Sequence, residues 1–212
     1  MNFRQRLASA APSRETVVTV GVFDGVHQGH RHLLRQVVEL AGDQYIPTVV
    51  TFSNRPITVL RPGTEPSYLT SLDQRVDLIK QQGIEIVVCL DFTLKLSKVI
   101  AADFAKLLTD SLKMKGLVLG PDSALGKDRQ GDLAFMKQQG EQSGFWATSV
   151  EPLEIEGKPV KSRRIREAVA SGNMAVCPEL LGRNHHLDGV VVLGDQRGRT
   201  LGFPTAKLEV DP

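Results

Sequence analysis

Short runs of β-branched residues alternate along this chain with longer stretches whose apolar positions recur every three to four residues. The runs ETVVTVGV (15–22), IPTVVTF (46–52), IEIVVCL (84–90), GLVLG (116–120) and FWATSVEPL (145–153) read as strands. Between the first two, residues 28–44 carry Leu33, Leu34, Val37, Val38 and Leu40, a helical stripe with Gly42 near its end. Residues 71–83 predict a second helix, with Ser71 or Thr70 as cap and Gly83 as stop. Residues 100–114, 128–144, 162–172 and 175–183 predict four more. Residues 53–70 hold Pro56, Pro62 and Pro66 without a period and read as a long loop, a kind of segment that is often functional. Residues 1–14 read as a tail or short edge element.

Strands alternating with helices imply an α/β domain around a parallel sheet with right-handed crossovers. Ligands of such sheets bind beyond the strand C-termini, where strand order reverses. The loops at 22–28, 53–70, 91–99 and 120–128 are therefore the candidate positions. After Arg183 the texture changes: Gly-rich turns and short β runs replace helical stripes. The expected division is a tail (1–14), an α/β domain (15–183) and the start of a β domain (184–212), the last too short for a core of its own.

Hydrophobic residues make up 41% of the 212 and charged residues 24%, with a net charge of +2. Such a balance gives no bulk reason to expect nucleic acid or an anionic membrane as partner. Cys89 and Cys177 sit in apolar contexts without metal-type spacing, so buried, reduced thiols are expected. The N-terminus has no apolar core of signal-peptide length, and no run approaches a membrane span. A cytoplasmic location is the expectation; the oligomeric state stays open.

Three of the five histidines fall within six residues of GVFDGVHQGHRHLL (21–34): His27, His30 and His32. A helix beginning near Gln28 puts His27 and His30 on one face of its first turn. Free N–H groups and the positive dipole end attract phosphate there, imidazoles add donors, and Gly21, Gly25 and Gly29 let a polyphosphate approach the backbone. This is not the lysine-bearing P-loop, which needs Gly-Lys-Ser/Thr. A zinc site from the three histidines lacks a fourth ligand at the usual spacing. Asp24 either closes the turn or binds ligand directly. Arg163, Arg164 and Arg166 are either a solvated helix face or an anion site. His32 is expected exposed, Phe145 and Trp146 in the core, and His185 and His186 without chemistry.

The string GVFDGVHQGHRHLL, with His27-Gln28-Gly29-His30, resembles the HxGH signature of the nucleotidyltransferases and, more narrowly, the prokaryotic FAD synthetases, the bifunctional riboflavin kinase/FMN adenylyltransferase family. SYLTSLDQRVDLIKQQGIE resembles that family's helix and strand after the long loop. GPDSALGKDRQGD stands where the family has Gly-x-Asp-Phe-x-Phe-Gly…Gly-Asp. VKSRRIREAVASGNMAVCPELLGR resembles the Ser-Ser-Thr-x-Ile-Arg motif and its sequel, and GRTLGFPTAKL the opening of the kinase β-barrel.

The resemblance implies a Rossmann-like nucleotidyltransferase domain followed by a partial kinase-type β segment. It implies adenylyl transfer from ATP to FMN with Mg²⁺, giving FAD and pyrophosphate. His27 and His30 would be catalytic, meeting ATP phosphates. Gly21, Phe23, Asp24, Gly25, Gly29, Asp122, Ser162, Arg163 and Arg166 would serve the nucleotide, and Arg55, Ser123 and Arg129 the flavin. No protein-held metal is expected. The chain departs from the pattern at four places. Arg55 stands for a histidine, Ser123-Ala124-Leu125 lacks the aromatics, Lys161-Ser162-Arg163 replaces Ser-Ser-Thr, and Lys207 replaces an asparagine. The last change, with the kinase's catalytic carboxylate expected beyond residue 212, predicts no riboflavin kinase activity from this chain. Another phosphorylated acceptor, or a non-catalytic nucleotide- or flavin-binding role, are the alternatives. A flavin-sized apolar slot between the long loop and the 120–128 loop would separate them.

Overall fold

A computed structural model describes residues 1–63 and 67–210. Three residues of the predicted long loop, 64–66, and the last two of the C-terminal segment, 211–212, lie outside the described residues.

Five strands form a parallel sheet in the order β3-β2-β1-β4-β5. They are β1 (Thr16–Val20), β2 (Ile46–Phe52), β3 (Ile86–Leu90), β4 (Met114–Leu119) and β5 (Trp146–Ser149). Every residue of β1 and β2 is buried, as expected of strands covered on both faces. Val18 and Val20 face one apolar cluster together with Leu117 and Leu119; Val17, Val49 and Val118 face the other. β1 and β4 are neighbours although the chain visits β2 and β3 between them. Strand order therefore reverses at this pair.

Helix α1 (Phe3–Ala8) opens the chain where a tail or edge element was expected. Asn2 and Gln5 form a reciprocal capping box, and Phe3 and Leu7 are buried in the first cluster. The pattern in six residues is too short to announce a helix, yet tertiary burial stabilises one. α2 (Gln28–Ala41) follows β1, and its stripe is Leu33, Leu34, Val37 and Ala41. Leu40, expected in that stripe, is exposed.

The predicted loop after β2 contains a short helix, α3 (Pro56–Leu60), started by Pro56 at its first turn. α4 (Leu72–Lys80) is capped by Ser71, whose hydroxyl accepts the Gln74 N–H. A second short helix, α5 (Leu94–Ser97), fills the loop after β3. α6 (Ala101–Leu112) precedes β4, and α7 (Leu133–Ser143), capped by Asp132, precedes β5. The expected start of that helix at 128 is wrong, because Asp128 and Arg129 adopt positive φ in a turn.

β5 is shorter than the predicted 145–153. A hairpin, β6 (Glu154–Ile155) and β7 (Lys158–Pro159), follows it through Glu156-Gly157. Both turn residues have positive φ, the type I′ requirement. α8 (Ser162–Ala170) and α9 (Cys177–Leu181) pack with Leu69 and Val160 as a third apolar cluster. Cys177 is buried, whereas Cys89 is half-buried; both are free thiols. Beyond Arg183, β8 (Gly189–Val192) pairs antiparallel with β9 (Lys207–Val210), and a four-residue helix, α10 (Arg197–Thr200), lies between them. Val190, Val191 and Phe203 in this segment are exposed, as expected of a segment without a core. No helix among the described residues is long and apolar enough to cross a membrane.

Candidate active site

A cavity of about 560 Å³ opens at the C-terminal ends of β1 and β4, where strand order reverses. Its walls come from the loops after β1, β2, β4 and β5, the start of α2, and the junction of β7 and α8. Loop 91–99, expected to contribute, takes no part in the lining. It is occupied in holding Asn54, whose side chain bonds the Phe92 backbone in both directions at 2.8 and 2.9 Å.

The loop after β1 is strained and locked. Phe23 and Val26 have positive φ, as does Gly25. Such conformations persist where surrounding bonds over-determine them. The Val22 carbonyl accepts from Thr51 Oγ1 at 3.0 Å and Arg75 Nη1 at 3.1 Å. The Asp24 carbonyl accepts from Ser162 Oγ at 2.9 Å, and the Gly25 carbonyl from Arg183 Nη2 at 2.7 Å. The Gly25 N–H donates to Thr70 Oγ1 at 3.1 Å. The Asp24 carboxylate is buried; it accepts the Leu69 N–H at 2.9 Å and pairs with Arg166 Nη1 at 2.7 Å. Asp24 thus takes the turn-holding role while presenting Arg166 to the cavity.

His27 is the N-cap of α2, and its Nδ1 accepts the His30 N–H at 3.2 Å. A neutral imidazole that accepts at Nδ1 carries its proton on Nε2, a donor. The two rings stack with centroids 3.6 Å apart and 18° between planes, and Phe23 meets His30 edge-on at 5.2 Å. His30 Nδ1 is buried with no hydrogen-bond partner among the described residues. Burial, then Arg166 and Arg183, lowers the His27 pKa from 6.5 to about 3. Burial, then His27, Arg75 and Arg166, lowers that of His30 well below 6.5. Both rings are neutral at pH 7. Gly29 permits this packing: a Cβ there would stand 2.9 Å from the Val160 carbonyl oxygen and 3.3 Å from the His27 ring. His32, expected exposed, is half-buried.

Gly21, Phe23, Asp24, His27, Gly29, His30, Arg55, Asp122, Ser123, Ser162 and Arg166, all singled out in the sequence, line the cavity. Gly25 does not; it shapes the loop from beneath. Arg163 does not either. Its Nε bonds Glu167 at 2.8 Å on the solvated side of α8. The spacing of four between these two residues was the available signal. Arg129 is also outside the lining: it donates from Nη2 to the Asp122 carbonyl at 2.5 Å and so braces the loop after β4. Nothing in the local pattern marks Arg75, 1% exposed, which donates to the Val22 and Phe52 carbonyls at the ends of β1 and β2. Arg183 was missed likewise.

Arg55 lies close enough to Arg166 to depress that guanidinium's pKa, after burial the largest influence on it; Asp24 acts in the opposite sense. Lys161 pairs with Asp122 at the rim. Neutral imidazoles, cations and a helix N-terminus therefore converge on one space, an arrangement suited to a phosphate-bearing ligand. Pro56 and Ile57 after β2, Pro121 after β4, and Val150, Pro152 and Leu153 after β5 line it with apolar surface. Among the described residues no group of three His, Cys, Asp or Glu side chains is placed to hold a metal ion.

The family model for FAD synthetase matches residues 9–164, and that for riboflavin kinase matches residues 181–212. The chain is 35% identical over 202 residues to the bifunctional riboflavin kinase/FMN adenylyltransferase of Escherichia coli strain K12. It is 34% identical over 199 residues to the protein of the same description from Pseudomonas fluorescens. These alignments cover 94% and 93% of this chain and 64% of each relative. A solved Streptococcus pneumoniae structure, described as a macrolide-efflux protein, superposes with a TM-score of 0.84 at 31% identity, covering 94% of this chain and 65% of that one. With the HxGH turn, the reversing sheet and the family match agreeing over three-quarters of its length, the chain belongs to the FAD synthetase family.

Proposed function

We propose that this chain is an FMN adenylyltransferase. A phosphate oxygen of FMN attacks the α-phosphorus of ATP, the bond from that phosphorus to the bridging oxygen breaks, and pyrophosphate leaves. No covalent enzyme intermediate is needed; the protein aligns the groups and spreads the developing charge. The observation that carries this reading is the stacked, neutral pair His27 and His30 at the start of α2, opening on a cavity that also holds Arg55 and Arg166. The relatives' description supports the choice of FMN as acceptor.

In this reading the His27 Nε2–H donates to a phosphate oxygen, and His30 stacks against it and strengthens its contact as charge moves toward the leaving group. Arg166, oriented by Asp24, and Ser162 face the nucleotide with Gly21, Phe23, Gly29 and Asp122. Arg55, a permanent cation, and Ser123 face the acceptor beside Pro56 and Ile57. Gly25, Arg163 and Arg129 act outside the cavity: the first and last shape its loops, and Arg163 faces solvent. Magnesium enters as part of the nucleotide substrate, carried on its phosphates rather than in a protein cage. The domain responsible is residues 15–183, in the cytoplasm, and residues 184–212 give no riboflavin phosphorylation.

The test is one assay of the purified chain with FMN, ATP and Mg²⁺, following FAD by chromatography and pyrophosphate by a coupled reaction. FAD and pyrophosphate should appear in equal amounts. ATP binding without FAD would sink the FMN assignment and send the search to other phosphorylated acceptors. FMN formed from riboflavin and ATP would overturn the reading of the C-terminal segment.

A further inference from the structure

Lys161 stands where the family pattern has serine, and it makes a contact that serine could not. Its Nζ meets Asp122 Oδ2 at 2.5 Å. The partners come from two different segments of the cavity lining. Asp122 lies on the loop after β4, closed by the Ser123 N–H on the Gly120 carbonyl at 3.0 Å; Lys161 is the residue before α8. Both line the cavity, and the side chains of Asp122 and Lys161 are 71% and 57% exposed. The bridge therefore ties the two segments together at the rim.

This pair differs in kind from Asp24 and Arg166, where the carboxylate is buried and the guanidinium partly so. An exposed lysine–aspartate pair is weakly held, and a lysine ammonium on its flexible stem redirects easily. The loop does not depend on the bridge for its place: Arg129 holds the Asp122 backbone carbonyl from outside the cavity. Lys161 holds the Asp122 carboxyl below its ordinary range.

We propose that Lys161 is a switchable phosphate ligand, paired with Asp122 when no phosphate competes and transferred to the phosphate of a bound substrate. Asp122 then acts as an internal competitor for that phosphate. A ligand without phosphate cannot displace the carboxylate, so the pair adds selectivity for phosphorylated ligands. The inference rests on reading the cavity as a site for ATP and a phosphorylated acceptor, and it turns on Lys161, one of the departures from the family pattern.

The experiment is a binding cycle by calorimetry. The wild-type chain and the variants Asp122→Asn, Lys161→Ala and the double variant are each titrated separately with a non-hydrolysable ATP analogue and with FMN. Asp122→Asn should tighten one of the two ligands roughly two- to five-fold, the scale of an exposed ion pair. Lys161→Ala should weaken the same ligand, and the gain from Asp122→Asn should vanish in the Lys161→Ala background. Which ligand responds identifies the phosphate that draws Lys161. In the wild-type chain, the Asp122 carboxyl followed by NMR should titrate closer to its ordinary range once that ligand is bound, a change a purely structural bridge would not show. Unchanged or weakened binding in Asp122→Asn, or a gain that persists without Lys161, overturns the proposal. Turnover of the wild type is measured separately. FAD formation with a failed cycle sinks only the exchange, a successful cycle without FAD sinks only the adenylyl transfer, and no binding of either ligand to the wild type sinks both.

Discussion

Asp24 and Arg166 are 142 residues apart in the chain and 2.7 Å apart in the fold. One carboxylate oxygen takes the guanidinium, the other takes the Leu69 N–H at 2.9 Å. The loop after β1, the entry to α4 and the helix α8 are joined through one side chain. Asp24→Ala strands a partly buried guanidinium and an amide at once. Breaking such a pair costs about 2–4 kcal/mol, toward the low side for buried pairs because Arg166 keeps some solvent access. Urea unfolding measures this directly; a loss below about 1 kcal/mol would show that the bridge does not hold these elements together.

His30→Ala should lower turnover by roughly 100-fold or more while ATP affinity changes much less, because its contact strengthens as the charge moves. Steady-state rates alongside calorimetry of the ATP analogue separate the two effects. Equal losses in both would reduce His30 to a binding residue.

The histidines fix a pH signature. With the free-chain pKa of His27 at about 3 and that of His30 well below 6.5, neither ring titrates near neutrality. The kcat/KM profile, which reports the free protein, should show no acid limb near pH 6.5 from these groups. Stability behaves otherwise. The unfolded chain takes up protons on both histidines below about pH 6.5, while the folded chain keeps His27 neutral down to about pH 3. The stability present above pH 6.5 is lost as pH falls through this window, at most by about 1.4 kcal/mol per pH unit for one ring. His27→Asn retains a good helix cap and should flatten part of that decline. Thermal unfolding at pH 7, 5.5 and 4 makes the comparison, and parallel declines would contradict it.

Gly29→Ala places a methyl group 2.9 Å from the Val160 carbonyl, a backbone atom that cannot swing aside. The junction before α8 must shift, at a cost of about 1–3 kcal/mol. Since Lys161 and Ser162 follow directly, substrate KM should rise along with the fall in stability. An alanine variant of wild-type stability and KM would mean that the junction yields freely.

The sheet, its helices and the HxGH turn were legible because their signals are local. A run such as TVVTV needs burial on both faces, and the stripe Leu33, Leu34 and Val37 repeats at helical spacing. The misses are places where distant groups decide. Arg75 sits on an ordinary polar position of α4, and only the fold brings the carbonyls of Val22 and Phe52 to it. Arg183 reads as the end of a helix until the carbonyls of Gly25 and Val26 are seen beside it. Arg163 is marked in sequence only by Glu167 four residues on, and Arg166 by no such partner nearby; Glu167 and Asp24 divide them between solvent and cavity. α1 escaped because six residues hold too little periodicity, and α3 because five residues starting at Pro56, within a proline-containing stretch, show no period.

That first helix sets a practical boundary for anyone cutting the gene. The family match begins at residue 9, after the last residue of α1. A shortened expression product starting there would lack Phe3 and Leu7 and leave an apolar dent beside α6 and β3, together with an unbound carbonyl on Cys89 that Arg6 otherwise occupies at 3.2 Å. An affinity tag ahead of Met1, itself exposed, leaves the Asn2–Gln5 cap intact; one fused in place of the first eight residues does not.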